Sequence, residues 1–172
     1  MSIAVPLKTI AVGVVVERSK AASQWSDFLW RPLSVLTGVP ATSPWAKLSD
    51  DGERATFFAG VAAIELHRTE TANYRANLMN EEPLLWVVLR PSEAKMPYEL
   101  LMVTADPAEG EAMTEAGNDL VETVPMPEAI QQTVADFVAE HHVEQAFSKR
   151  ERDRANPEAL GRRVPSRDDE PR

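Results

Sequence analysis

The residues best equipped for chemistry in this chain are its three histidines, His67, His141 and His142. A metal or acid-base site would have to be built around "EHHVE", residues 140–144. Adjacent positions on a helix point about 100° apart, so His141 and His142 cannot chelate one ion together as an i, i+4 pair does. His141 could instead pair with Glu144 and recruit His67. Its place on the apolar stripe of its helix favours a packed, hydrogen-bonded histidine, so no metal and no cofactor is expected. The chain has no cysteine, which removes disulfides, thiolate metal sites and thiol redox chemistry.

Other catalytic patterns are weaker still. A phosphate cradle needs closely spaced glycines at a helix start, and neither "GxGxxG" nor "GxxxxGK" occurs. No "GxSxG" elbow marks a serine nucleophile. The acidic runs "DDGE", "NEEP" and "EAGND" fall where turns and helix surfaces are expected, and solvated carboxylates explain them. No catalytic residue is therefore assigned, and a binding protein is favoured over an enzyme.

One stretch points to recognition. In "SQWSDFLWRPLSVL", Trp25, Phe28 and Trp30 surround Arg31 and Pro32. Period two puts Phe28, Trp30 and Pro32 on one face and Leu29, Arg31, Leu33 and Val35 on the other, so neither face is cleanly polar. Either both faces are covered, or one presents aromatics and Arg31 to a partner, where Trp and Arg are favoured anchors. Pro32 cannot donate to a ladder, which favours an edge or bulged strand.

The elements that must position these residues read as α+β. Strand-like runs are "TIAVGVVVER", "FLWRPLSVL", "ERATFFAGVAAIELHR", "PLLWVVLRP", "YELLMVT" and "LVETV", about six in a largely antiparallel sheet. In the third run Phe58, Ala62, Ile64 and Leu66 share a parity, and residues 38–52 read as a turn-rich link. Three helices are expected. The first has Thr69 as cap and Ala72, Ala76 and Met79 inward. The second has Asp106 as cap, Pro107 at its first position, Glu109 closing a capping box and Gly117 as stop. The third, within "EAIQQTVADFVAEHHVEQAF", aligns Ile130, Val134, Phe137, Val138 and His141.

A single α+β domain over residues 1–148 would then precede a charged tail, residues 149–172, expected to be disordered. That tail holds eight Lys/Arg and six Asp/Glu, while the body holds ten and twenty-one, a net of −11. Such an acidic body argues against nucleic acid. The N-terminal apolar run, residues 10–16, is too short for a membrane span, so a cytoplasmic protein without a membrane partner is expected. Within the tail, "NPEALG" has the punctuation of one helical turn.

The phrases "AVGVVVER", "WRP", "FFAG", "ELHRTET", "VVLRP", "VPMP" and "FVAEHHVEQAFSKRERDRANPEALGRR" together resemble a proteobacterial family of unknown function. Genes of that family often lie beside molybdenum-dependent formate dehydrogenase and its maturation factors. The resemblance implies an accessory or maturation factor acting by protein-protein contact. Its partner-binding residues would be Trp25, Phe28, Trp30 and Arg31, with Lys149, Arg150, Arg152, Arg154, Pro157, Leu160, Arg162 and Arg163 of the tail. An alternative is a small-ligand or pterin-nucleotide-binding protein, possibly an enzyme. Its pocket would gather Trp30, Arg31, His67 and Arg90, with His141 a further candidate.

Overall fold

A computed structural model describes residues 5–22 and 27–143. Its elements, in order, are β1 (Lys8–Lys20), β2 (Phe28–Thr37), β3 (Ala46–Asp50), β4 (Arg54–Leu66), a 3-10 turn (Arg68–Glu70), α1 (Thr71–Leu78), β5 (Leu84–Pro91), β6 (Tyr98–Thr104), α2 (Pro107–Glu115), β7 (Leu120–Pro125) and α3 (Glu128–His141). All belong to one compact unit ending at His142. The strands form two antiparallel sheets, ordered β2-β1-β4-β3 and β6-β5-β7, with β4 lying near β6 and β2 near β7. This is the α+β, antiparallel architecture expected, with the strands divided between two sheets.

One apolar core joins the layers: Val12, Val14 and Val16 of β1, Ile64 and Leu66 of β4, Leu85, Val87 and Leu89 of β5, and Ile130, Val134 and Phe137 of α3. Each such side chain contributes about 1.5–3 kcal/mol on burial. The outer face of β5 is covered as well. There α2 brings Gly110 so close to the Trp86 indole that an added Cβ would collide with it. A residue larger than glycine would force the helix off the sheet.

Two bulges resolve the ambiguous strand phases. In β2 the register with β1 skips Leu33, so Trp30 and Pro32 face inward before it and Val35 after it. In β4 the register skips Ala59, which carries Phe58 to the outer face beside Gly13 while Ile64 and Leu66 stay in the core. β2 is the sheet edge that Pro32 requires.

Three local expectations fail. Residues 46–50 are not part of a link but the edge strand β3, unrecognised because Lys47, Ser49 and Asp50 are polar and exposed. Thr69 is not a cap: the chain makes a 3-10 turn first, and α1 buries Thr71, Tyr74 and Asn77 while Ala72, Ala76 and Met79 face solvent. Asp106 does cap α2, its Oδ1 accepting from the Ala108 amide at 2.9 Å. The box is closed differently, however. The Asp106 amide donates to Thr104 Oγ1 and that hydroxyl donates to Glu109 Oε2 at 3.0 Å.

Candidate functional site: an aromatic and cationic cleft

Along β1 the inward positions run Val12, Val14, Val16 and then Arg18. Arg18 lies opposite Trp30 of β2 and Ala55 of β4, two residues before Phe57. Its guanidinium carbon therefore sits 4.4 Å from the Phe28 ring centroid, 5.2 Å from Phe57 and 5.8 Å from Trp30. Such contacts are worth about 0.5–1 kcal/mol each at exposed sites. Lys47 of β3 approaches Phe57 at 6.0 Å.

Trp30 is the hub of the rings. It packs against Phe57 at 5.5 Å, edge-on to Trp45 at 6.2 Å and against Tyr98 at 6.4 Å. Trp45 holds a left-handed backbone, φ 64, unusual for a bulky residue and costing of order 1 kcal/mol. Its indole contact with Trp30 and its amide bond to the Phe58 carbonyl hold it there.

The β5 to β6 hairpin closes the other side. Pro91, Lys95, Met96, Pro97 and Tyr98 face Arg18, Asp27, Phe28 and Trp30 across an open cleft of about 490 Å³. Nearby charges are mostly neutralised: Arg31 pairs with Glu17 at 3.0 Å, Lys47 with Asp50 at 2.8 Å, and Arg90 grips both oxygens of Asp119 at 3.2 Å. The Asp119 hydrogen bond holds the Arg90 pKa above its ordinary value, while the Lys47 hydrogen bond lowers that of Asp50. Asp51 is likewise lowered, chiefly by the Arg54 amide and then that of Glu53. Among the described residues, no carboxylate lies within ion-pair reach of Arg18 or Lys95.

The structure brings together some of the residues singled out from sequence. Phe28 and Trp30 share the cleft, with Phe28 40% exposed. Arg31 is on the opposite face with Glu17, as strand alternation demands, so it does not line the cleft with Trp30. Arg90 is near this end, on the strand leading to Pro91, but is occupied by Asp119. His67 follows the other end of β4, which at 13 residues is roughly 40 Å of strand. A pocket holding both Trp30 and His67 is not what the fold builds. Trp25 and the tail residues from Lys149 to Arg163 lie outside the described residues.

At the far end the histidines serve the helices. The His67 amide donates to the Tyr74 hydroxyl at 2.9 Å, and that hydroxyl donates to the Glu65 carbonyl at 3.4 Å. Tyr74 meets Phe137 edge-on, and Phe137 lies 4.5 Å from the His141 ring. His142, just past the end of α3 with extended backbone, turns away to Thr71, Nδ1 to Oγ1 at 3.1 Å. Burial pushes the Tyr74 phenol up to about 12. Among the described residues no three His, Asp or Glu side chains gather as metal ligands, and no helix is long and apolar enough to cross a membrane.

Arg18, Lys95 and Tyr98 in the cleft, and Trp45, Lys47 and Phe57 in the ring cluster beside it, are unanticipated. Only Arg18 left a sequence signal, following Ile10, Val12, Val14 and Val16 on the inward parity of its strand. The model of a family described as "Protein of unknown function (DUF3305)" matches residues 11–151. The chain belongs to this family. No curated protein and no solved structure matches it. The family span contains every cleft residue from Arg18 to Tyr98 and all three helices, whereas the tail from Arg152 onward lies beyond it.

Proposed function

We propose that this member of the DUF3305 family is a cytoplasmic, non-catalytic accessory or maturation factor for a molybdenum-dependent formate dehydrogenase, acting by protein-protein contact. The observation that supports this reading is the start of β2. There an edge strand leaves Phe28 40% exposed beside the ringed Arg18 and an open cleft, with Leu29, 60% exposed, on the strand's other face. Exposed aromatics beside arginine are what interface anchors are made of. The formate dehydrogenase comes from the sequence resemblance alone.

Affinity purification of tagged protein from a host expressing the dehydrogenase, with and without residues 149–172, tests it. Recovery of the dehydrogenase or its maturation factors is expected, weaker without the tail, while the thermal melt is unchanged. Failure to recover either by the full chain removes the reading. Undiminished capture without the tail removes the tail's part in it.

A second reading, a small-ligand or pterin-nucleotide-binding protein, draws support from the cleft volume, within the roughly 300–1,000 Å³ typical of ligand pockets. Calorimetric titration with guanine nucleotides and molybdopterin precursors decides for or against it.

A further inference from the structure

We infer that the cleft between Phe28 and Lys95 is a docking site for a short acidic segment of a partner protein, one in which a large apolar residue adjoins an Asp or Glu. The inference rests on the accessory reading only in taking the partner to be a protein. The first argument is Arg18. Three rings pack around the guanidinium, and among the described residues no carboxylate lies within ion-pair reach of it, Asp50 being near enough only to feel its charge. A carboxylate taken in bidentate fashion is the ligand that such a preorganised arginine suits.

Charge placement is the second argument. In residues 1–148, with net charge −11, every Lys and Arg except Lys8, Arg68 and Arg75 lies at the cleft end of the sheets. Lys8 opens β1, and Arg68 and Arg75 flank α1, at the other end. That end also carries eight of the body's 21 carboxylates, so it is close to neutral while the rest of the body is strongly negative; an acidic segment is repelled elsewhere and meets Arg18 and Lys95 here. The walls supply the apolar half of the recognition through Phe28, Met96 and Pro97.

Openness argues for a peptide over a small molecule. A small ligand is usually about 70–90% enclosed, whereas this cleft is open to solvent. A peptide supplies the missing cover with its flanking backbone. Asp27, the carboxylate of the lining, adds a directional preference: the acidic residue lies toward Arg18 and Lys95, with a neutral or basic residue toward Asp27.

The test is selection of random phage-displayed peptides on the immobilised full chain, followed by titration of a selected peptide. Sequences placing Phe, Leu, Met or Trp beside Asp or Glu are expected. Arg18→Gln should weaken binding about tenfold or more and Lys95→Ala about fivefold, as expected for hydrogen bonds to charged groups. Arg68→Ala, at the far end, should change nothing. Should Arg18→Gln unfold, Arg18→Lys keeps the charge over the rings while losing the bidentate edge, and Lys95→Ala alters only the hairpin. Enrichment of no acidic sequence overturns the inference, as does binding indifferent to both Arg18→Lys and Lys95→Ala. Binding of GMP or phenyl phosphate with no peptide selected also overturns it, in favour of the small-ligand reading. Dehydrogenase capture that ignores Lys95→Ala would remove the docking site and leave the accessory role standing. Selected peptides with no dehydrogenase recovered would do the reverse.

Discussion

Arg18 and Tyr74 occupy opposite ends of the sheets and are held by opposite means. Arg18 keeps its charge beside rings at an open cleft. Tyr74 is 1% exposed, and its hydroxyl both accepts the His67 amide and donates to the Glu65 carbonyl. Burial disfavours the phenolate most, with the negative charges of Asp106, Glu109 and Glu70 adding to it, against a smaller opposing effect from the His67 amide. The folded pKa, about 12, thus exceeds the ordinary 10.0. The neutral phenol is the form the fold prefers, so its stabilisation is complete below pH 10 and lost as pH rises toward 12. In the Tyr98→Phe variant, where Tyr74 is the one remaining tyrosine, phenolate absorbance should rise near pH 12 together with loss of circular dichroism. A transition near pH 10 with the fold intact would contradict this account. Neither residue's role was legible from local sequence: Arg18 meets Phe28 and Phe57 only through strand pairing, and Tyr74 finds its partners only once α1 packs on α3 and its hydroxyl reaches the end of β4.

At the scale of elements, what sequence periodicity conveys depends on whether the element is regular. α3 buries Ile130, Val134, Phe137 and Val138, the stripe its spacing announces, and α2 begins where Asp106 and Pro107 say it should. β2 and β4 defeat a simple alternation because each carries a bulge that changes parity in mid-strand. α1 misleads for another reason: its buried face is polar. Asn77, 1% exposed, donates to the carbonyls of Leu84 and Ala105 and accepts the Leu84 amide at 2.8–3.0 Å. It ties the entry of β5 to the exit of β6, satisfying backbone groups that these strand ends leave unpaired. Asn77→Leu supplies apolar area and orphans those groups, so it should cost about 3 kcal/mol in urea unfolding, each buried unsatisfied group costing roughly 1–3 kcal/mol. A stability equal to that of the unmodified protein would show that α1 is held by its apolar contacts with α3 instead.

For the molecule as a whole, the decisive features join segments far apart in the chain. β1 brings Arg18 to the cleft, β2 brings Phe28 and Trp30, and the β5 to β6 hairpin brings five residues, with Phe57 of β4 behind Arg18; the same pairing gathers most of the body's cations at one end. The composition, an acidic body, hides that asymmetry because counting charges discards position. Its physical consequence is kinetic. The local field of Arg18 and Lys95, set in an otherwise acidic body, acts during approach, so it governs the association rate more than the residence time. Raising salt from about 0.01 M to about 1 M shortens the Debye length from roughly 30 Å to roughly 3 Å, removing steering but not the short-range contact with Arg18. Stopped-flow measurement on a selected acidic peptide should accordingly show the association rate falling by about tenfold or more while dissociation changes only a few-fold. An association rate flat across that range would mean that the cations at this end serve only their pairs with Glu17, Asp50 and Asp119. The burden of recognition would then pass to the exposed aromatic edge alone.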